Sequence, residues 1–423
     1  MLARSTRTML RAAVRSYATV VDSAGLKVAA VDNGQPTASI TLLVKAGSRY
    51  ETTRGSAQLL KNFSFKVWNS TADRSSLHLA REAELYGGLL SSTLSREHLA
   101  ITADFLRGDE PLFVELLSSV VTSPKFLPHE LNEAVLPSTA TESTIALGDP
   151  GIYALELAHA VAFRSTGLGS SLFVDHPPSN ALDAVKAFAA SAFTKSNIAV
   201  IGTGIDHAKL SKLVEKHLSG LAPSASSTKA GSSQYFGGET RVGAHGHGHA
   251  AFIGFGAPGG VSPDLAVLHA HLDATPALKW THGLSPLAGT SAEPVYLEYS
   301  DAALFGVLVK GETADQVGKN AKAAVAALKK AAAGLSKEDA TRAIAKAKFA
   351  AAASVEGRQG LAASVAPEVF GGPKADLQSV HAALGKVSES SVAKTLSSLI
   401  KVKPTFVAVG DIHALPYVDE LGL

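Results

Sequence analysis

The sequence predicts an α+β protein built from two related halves, and three observations predict this class. Segments typical of strands and of helices alternate along the chain, and a small, polar stretch at 222–234 divides it near its middle. The two halves also end alike, with an apolar run, a glycine and then an Ile and a His, at 197–207 and at 405–413. Such self-similarity indicates a duplicated domain, and intermixed strands and helices indicate helices that cover a sheet.

Hydrophobic periodicity and end signals predict the individual elements. Strands are predicted at 26–31, 39–46, 99–105, 197–202, 250–255 and 405–410. Helices are predicted at 57–65, 76–86, 111–121, 150–161, 314–333 and 337–353. Thr313 and Gln316 suit a capping box at the start of the fifth of these helices, and Gly334 suits its end.

Residues 1–17 predict a mitochondrial transit peptide. On a helical wheel its four arginines fall in one sector, and the first acidic residue of the chain is Asp22. The arginines are Arg4, Arg7, Arg11 and Arg15. The sequence from Arg15 to Ala18 is similar to the Arg-x-Tyr site of the matrix processing peptidase, so we expect cleavage between Tyr17 and Ala18. A merely basic, disordered tail is the alternative.

Composition limits the remaining possibilities. Without the four arginines of that segment, 37 acidic residues outnumber 35 basic ones, so nucleic-acid binding loses its main support. With 46% apolar and 18% charged residues the chain can build large cores. It has no Cys, which excludes thiolate nucleophiles, cysteine-ligated iron–sulfur clusters and disulfides. We expect domains at 18–221 and 235–423, joined by the linker 222–234, and no membrane span.

The segment 47–62 carries the main chemical motif. Gly47, Arg49 and Glu51 form a Gly-x-Arg-x-Glu sequence, and the five residues from 58 to 62 follow on a predicted helix. This resembles the first helix of the pitrilysin-type, processing-peptidase-like (M16) metalloproteases, in which Gly-x-Arg-x-Glu leads into His-x-x-Glu-His. In such an arrangement the i, i+3 and i+4 side chains share one helix face and can meet one metal ion.

The chemistry of that motif is absent here. Gln58 and Asn62 stand where the family has its two His ligands, and Lys61 stands where it has the Glu that acts as general base. Amides are neutral, and an ammonium group with a pKa near ~10.4 repels a dication and cannot deprotonate water. The sequence therefore predicts neither a metal ion nor a catalytic residue at this site.

The resemblance also implies a third ligand, a Glu well downstream. Glu142 falls in that region, and we consider it either an ordinary acid on a helix surface or a remnant of the third ligand. His245, His247 and His249 alternate with glycines and lack a neighbouring carboxylate, so a loop or an edge strand is the preferred interpretation there. No other zinc-protease motif is present.

Further segments extend the resemblance over the whole chain after residue 17. They lie at 95–97, 159–169, 237–241, 354–357 and 416–421. Together they are similar to the noncatalytic branch of the family that supplies the core subunits of mitochondrial ubiquinol–cytochrome c reductase (respiratory complex III). This resemblance implies two homologous metalloprotease-like domains, each a mixed, mostly antiparallel sheet covered by helices, arranged as a bowl.

The same resemblance implies a function in assembly. The chain is expected to be a structural subunit that is needed for the stability of the complex, has no catalysis of its own and has no cofactor. It would lie peripherally on the matrix side of the inner membrane. The partners implied are core subunit 1, cytochrome b, cytochrome c1, the Rieske protein and the small subunits of the complex, and nucleic acid is not among them.

Two other functions stay open at this point. The first is the noncatalytic α subunit of the mitochondrial processing peptidase, which binds presequences and carries a long glycine-rich loop in its second half. The matching stretch here, 272–288, contains one glycine, which speaks against a flexible peptide-binding loop. The second is an active metallopeptidase with an unrecognised ligand set.

Overall fold

A computed structural model describes residues 19–23, 25–66, 71, 74–223, 230–244, 248–275, 283–370, 372 and 376–423. We call residues 19–223 the first half and 230–423 the second half. The predicted transit peptide and its cleavage site at Tyr17 and Ala18 lie outside the described residues, as do residues 276–282 of the glycine-poor stretch 272–288 and part of the linker. The proposed domain boundaries therefore stay a prediction.

The described strands form two sheets. The strands are β1 Thr19–Ser23, β2 Leu26–Val31, β3 Thr37–Val44, β4 Leu89–Leu94, β5 Leu99–Leu106, β6 Ile198–Thr203, β7 Gly238–Gly243, β8 His249–Pro258, β9 Ala292–Glu298, β10 Ala302–Gly311 and β11 Thr405–Gly410. The first sheet has the order β1-β2-β6-β3-β5-β4, and the second has the order β7-β11-β8-β10-β9.

The two sheets share one topology apart from the extra edge strand β1. In each half the first and last strands of the shared set pair in parallel, β2 with β6 and β7 with β11. Every other neighbouring pair in both sheets is antiparallel. The predicted α+β class with mixed, mostly antiparallel sheets is confirmed, and the repeat of strand order is what a duplicated unit would produce.

Helices surround both sheets. They are α1 Ser56–Lys61, α2 Ser76–Leu85, α3 Glu110–Thr122, α4 Pro128–Glu130, α5 Leu136–Gly148, α6 Pro150–Phe163, α7 Ala181–Ala192, α8 His207–Leu218, α9 Pro263–Leu272, α10 Ala314–Ala333, α11 Lys337–Ser354, α12 Arg358–Val369, α13 Leu377–Gly385 and α14 Glu389–Ile400. Two π-helical turns adjoin them, one after α1 at Asn62–Lys66 and one between α4 and α5 at Leu131–Val135.

Two end signals differ in detail from the sequence prediction. The helix predicted at 57–65 is α-helical only to Lys61 and continues as a π turn from Asn62, whose side chain donates to Thr139 of α5. At the start of α10 the Thr313 hydroxyl accepts from the Gln316 N–H as predicted. The Gln316 side chain, however, accepts from the N–H of Glu312 rather than from that of Thr313, so only half of the capping box forms.

Each half supplies one helix to the sheet of the other half. Helix α6 of the first half packs on β8 and β11, and α12 of the second half packs on β2, β3 and β6. The contact of α6 buries Ala154, Ala158, Ala162, Phe252, Val407 and Val409. The contact of α12 buries Ala362, Val365, Ala366, Val369, Ala29, Leu43, Ala199 and Ile201. Small residues spaced four apart, three on α6 and two on α12, let each helix approach its sheet closely.

The opposite faces of the two sheets build the two larger cores. In the first half these include Ile40, Leu42, Val44 and Val200, whose neighbours Leu43 and Ile201 point the other way to α12. Both faces of each sheet are thus buried, which explains why strands such as β6 are buried at every position and mostly apolar. Among the helices of the described residues, none has the length and hydropathy needed to cross a membrane.

Candidate functional site

The motif helix α1 is placed by the Gly-x-Arg-x-Glu segment before it. A Cβ on Gly47 would lie 2.2 Å from the carbonyl oxygen of Arg96, so only glycine allows the segment to pass the backbone of the β4–β5 turn. The Arg49 N–H donates to that same carbonyl over 2.8 Å. Gly47 is therefore needed because two backbones approach each other closely at this position.

Glu51 precedes α1 and caps its N-terminus. Its Oε2 accepts from the N–H of Gly55 over 3.0 Å and from that of Ala57 over 3.3 Å, which replaces the side-chain cap that Gly55 cannot supply. Burial raises the pKa of Glu51 to about 7, although the two N–H donors lower it in part. Its other oxygen, Oε1, has no hydrogen-bond partner among the described residues.

The structure brings together all four residues singled out by the sequence analysis. The Lys61 ammonium contacts Glu142 Oε1, Gln58 Nε2 lies 3.3 Å from Glu142 Oε2, and Asn62 Nδ2 lies 3.4 Å from the same oxygen. Gln58 and Asn62 are buried, and the Glu142 side chain is 21% exposed. Glu142 is therefore not an ordinary acid on a solvent-facing helix surface, because three motif side chains surround its carboxylate.

Neighbouring groups fix which way the two amides point. The Val174 N–H lies 2.8 Å from Gln58 Oε1, and because a backbone N–H can only donate, the nitrogen of that amide must face Glu142. Asn62 Nδ2 donates over 2.7 Å to the Thr139 hydroxyl, which in turn donates to the carbonyl of Val135. Both amides thus direct N–H groups, and not oxygen lone pairs, into the site.

This donor set does not fit a zinc ion. Zinc requires several lone pairs that converge on one point, supplied by imidazoles, thiolates or carboxylates. Here two N–H donors and one ammonium converge on a single carboxylate, so the arrangement receives an anion from α5 and repels a cation. Among the residues that the structure describes, no group of three His, Cys, Asp or Glu side chains is placed to hold a metal ion elsewhere.

Comparison with known proteins gives the family. The model of the insulinase family, peptidase family M16, matches residues 27–176, and the model of the M16 inactive domain matches residues 181–347. The cytochrome b-c1 complex subunit 2 of Cryptococcus neoformans is 43% identical, over 97% of this chain and 96% of that protein. The chain belongs to the cytochrome b-c1 complex subunit 2 family of M16 homologues. The Saccharomyces cerevisiae and human subunits 2 are 32% and 29% identical over 94% of this chain, with 96% and 90% of those proteins covered.

Membership of the subunit 2 family confirms the predicted resemblance. It also supports a chain without peptidase activity, since its relatives are cytochrome b-c1 complex subunits and its residues 181–347 match an inactive domain. The α subunit of the processing peptidase, the main alternative, is not favoured by these relatives. The assignment of individual site residues rests on the geometry above and stays an interpretation.

A second polar network joins the halves of this subunit 2 homologue. Arg49 is buried and donates to Asp301 in the second half, with Nη1–Oδ1 at 2.8 Å and Nη2–Oδ2 at 2.6 Å. It also donates to Glu97 Oε1 over 2.7 Å, and Glu97 accepts from the N–H and the hydroxyl of Ser300. No local pattern assigns Arg49 or Glu97 to this network, because Asp301 lies 252 residues from Arg49.

Two histidines near this network are neutral packing residues. His98 stacks on Phe370 at the end of α12, with ring centroids 5.2 Å apart, and burial lowers its pKa to about 4. His159 on α6 lies 2.6 Å from the Tyr299 hydroxyl, and burial holds its pKa well below the ordinary value. His249, from the glycine-rich run, is the first residue of β8, and its ring accepts from the N–H of Asp411. Its neighbours His245 and His247 lie outside the described residues.

Proposed function

We propose that this chain is a structural core subunit of the mitochondrial cytochrome b-c1 complex, respiratory complex III, and that it supports assembly and stability without catalysing a reaction. The observation that carries this proposal is the inverted polarity of the M16 site, in which N–H groups and an ammonium face the single carboxylate of Glu142. Binding and catalysis are separable properties of a fold, so an M16 frame without a metal can still present large surfaces to partners.

The finer parts of the proposal follow the family. We propose that the mature chain begins at Ala18, that domains at 18–221 and 235–423 flank the linker 222–234, and that the chain lies peripherally on the matrix side of the inner membrane. Its partners would be core subunit 1, cytochrome b, cytochrome c1, the Rieske protein and the small subunits. The names of the relatives, which are mitochondrial b-c1 complex subunits, support this placement.

Affinity purification from detergent-solubilised mitochondria tests the partners. The tagged chain should recover cytochrome b and core subunit 1 in constant ratio, and mass spectrometry of the same sample should give an N-terminus at Ala18. Recovery of only a soluble zinc peptidase would instead support the processing-peptidase alternative. Zinc-dependent peptide hydrolysis by the purified chain would contradict both.

Replacement of Lys61 by Ala tests the absence of catalysis. In cells that lack the native subunit, the variant can lower the amount of assembled complex, because a buried ion pair is lost. Ubiquinol–cytochrome c turnover per cytochrome b haem in the assembled complex should equal that of the wild type. A lower turnover per assembled complex would show that Lys61 takes part in the reaction.

A further inference from the structure

The site of the lost metal contains a cation of its own. Lys61 is the fourth residue of the five-residue motif, and only 7% of its side chain is exposed. Its ammonium contacts the Glu142 carboxylate, and its backbone carbonyl accepts from the Ser92 hydroxyl of the edge strand β4 over 3.1 Å. Lys61 therefore connects the motif helix with both α5 and the sheet.

Glu142 depends on this cation. The amides of Gln58 and Asn62 donate to Oε2 at 3.3 Å and 3.4 Å, which are long distances for hydrogen bonds. Neutral N–H donors at that range compensate the desolvation of an ionised carboxylate only in part, since a buried charge needs a counter-charge as well as hydrogen bonds. Lys61 brings a positive charge into direct contact with Glu142.

We propose that the Lys61 ammonium has taken over the structural work of the metal ion in the M16 frame: it cross-links α1 to α5 through Glu142 and keeps divalent cations out. In a metal site the ion would join side chains of these two helices, and here a covalently attached cation joins the same two elements. The inference rests on membership of the M16 family and on the contacts of Glu142, and not on assembly with the b-c1 complex.

The cross-linking role is tested with the purified full chain by thermal unfolding. Lys61→Met should lower the unfolding midpoint by about 5 °C, because it removes the ammonium that contacts a largely buried carboxylate. Glu142→Gln should also lower it. The double variant should lie closer to the wild type than Lys61→Met does, because both charges are then absent. Lys61→Arg, which keeps the charge, should retain most of the stability.

A control pair lies in the same half. Arg107 contacts Asp32, and the two side chains are 35% and 36% exposed, so water can replace the lost guanidinium. Arg107→Met should lower the midpoint by about 1 °C. Additive effects of Lys61→Met and Glu142→Gln, or equal effects of Lys61→Met and Arg107→Met, would overturn the cross-linking role. Because these measurements use the isolated chain, they do not depend on the proposed function.

The exclusion role is tested by titration with zinc chloride. The variant Q58H/N62H restores both imidazoles and keeps Lys61, whereas Q58H/K61M/N62H removes the ammonium as well. The triple variant should bind zinc at least tenfold more tightly than the double variant, because the Lys61 ammonium then no longer repels the ion or competes with it for the Glu142 carboxylate. Equal affinities would overturn the exclusion role. So would the absence of zinc binding by either variant, because Lys61 would then not be what keeps the metal out.

Discussion

Arg49 and Asp301 form a bidentate ion pair that joins the halves of the chain. The two nitrogen–oxygen distances are 2.8 Å and 2.6 Å, and the guanidinium is almost completely buried. Burial raises the pKa of Asp301, but the hydrogen bonds and charge of Arg49 outweigh it and hold that pKa below the ordinary value. The motif arginine of an M16 frame thus serves, in this protein, the contact between halves.

Replacement of Asp301 by Asn should lower the free energy of unfolding by about 2–4 kcal/mol, because it leaves the buried Arg49 with less compensating charge. Denaturant unfolding measures this, and a double-mutant cycle with Arg49→Met should give a large coupling energy. The control is Asp339→Asn in the exposed Asp339–Arg342 pair, for which we expect a change below about 0.5 kcal/mol. Similar values for the two variants would contradict a structural role of the buried pair.

Glu51 should make stability depend on pH in the unusual direction. Its ordinary pKa of 4.5 is raised to about 7 in the folded chain, so between these values the folded state binds more protons than the unfolded state. The free energy of unfolding therefore falls as pH rises from 4.5 to 7, and the loss is complete above 7. Relative to the wild type, Glu51→Gln should gain on the order of 3 kcal/mol over this range. A difference that does not change with pH would contradict this prediction.

Replacement of Gly47 by Ala should destabilise the chain by about 2 kcal/mol or more. The added Cβ would stand 2.2 Å from a backbone carbonyl oxygen, which cannot move as a flexible side chain could. Gly148→Ala is the control, because a Cβ there meets nothing within 4 Å. Thermal unfolding of both variants measures the difference, and equal midpoints would show that the backbones can separate without loss.

Replacement of Ala158 by Leu tests the contact between α6 and the second sheet. Ala158 is fully buried against that sheet, and overpacking should lower the free energy of unfolding by about 1–3 kcal/mol. Ala140→Leu, at an exposed position of the preceding helix, should change it by less than about 0.5 kcal/mol. Denaturant unfolding compares the two, and a neutral Ala158→Leu would mean that α6 can withdraw from the sheet.

Local patterns explain which parts of the fold the sequence predicts. The bounds of α10 were predicted correctly because Val317, Ala321, Val325 and Leu328 mark a continuous apolar face between Thr313 and Gly334. The short helix α12 was missed. It contains Pro367, and its apolar face has only four buried residues, Ala362, Val365, Ala366 and Val369, which the sheet of the other half covers.

In the candidate site, too, local patterns predict which residues share a helix face but not their contacts with distant residues. Spacing alone places Gln58, Lys61 and Asn62 on one helix face, and the family interval suggests Glu142. The direction of the Gln58 amide depends on the N–H of Val174, which is 116 residues away, and no local pattern reveals it. Arg49 and Asp301 are 252 residues apart, so no pattern of neighbouring residues predicts their ion pair.

The exchange of α6 and α12 between the halves limits how early the chain can fold during its synthesis or import. The face of the first sheet that α12 covers stays exposed until Arg358–Val369 has left the ribosome or an import channel. Nearly the whole molecule must therefore be delivered before either half is sealed, and until then apolar strands are exposed to chaperones and proteases.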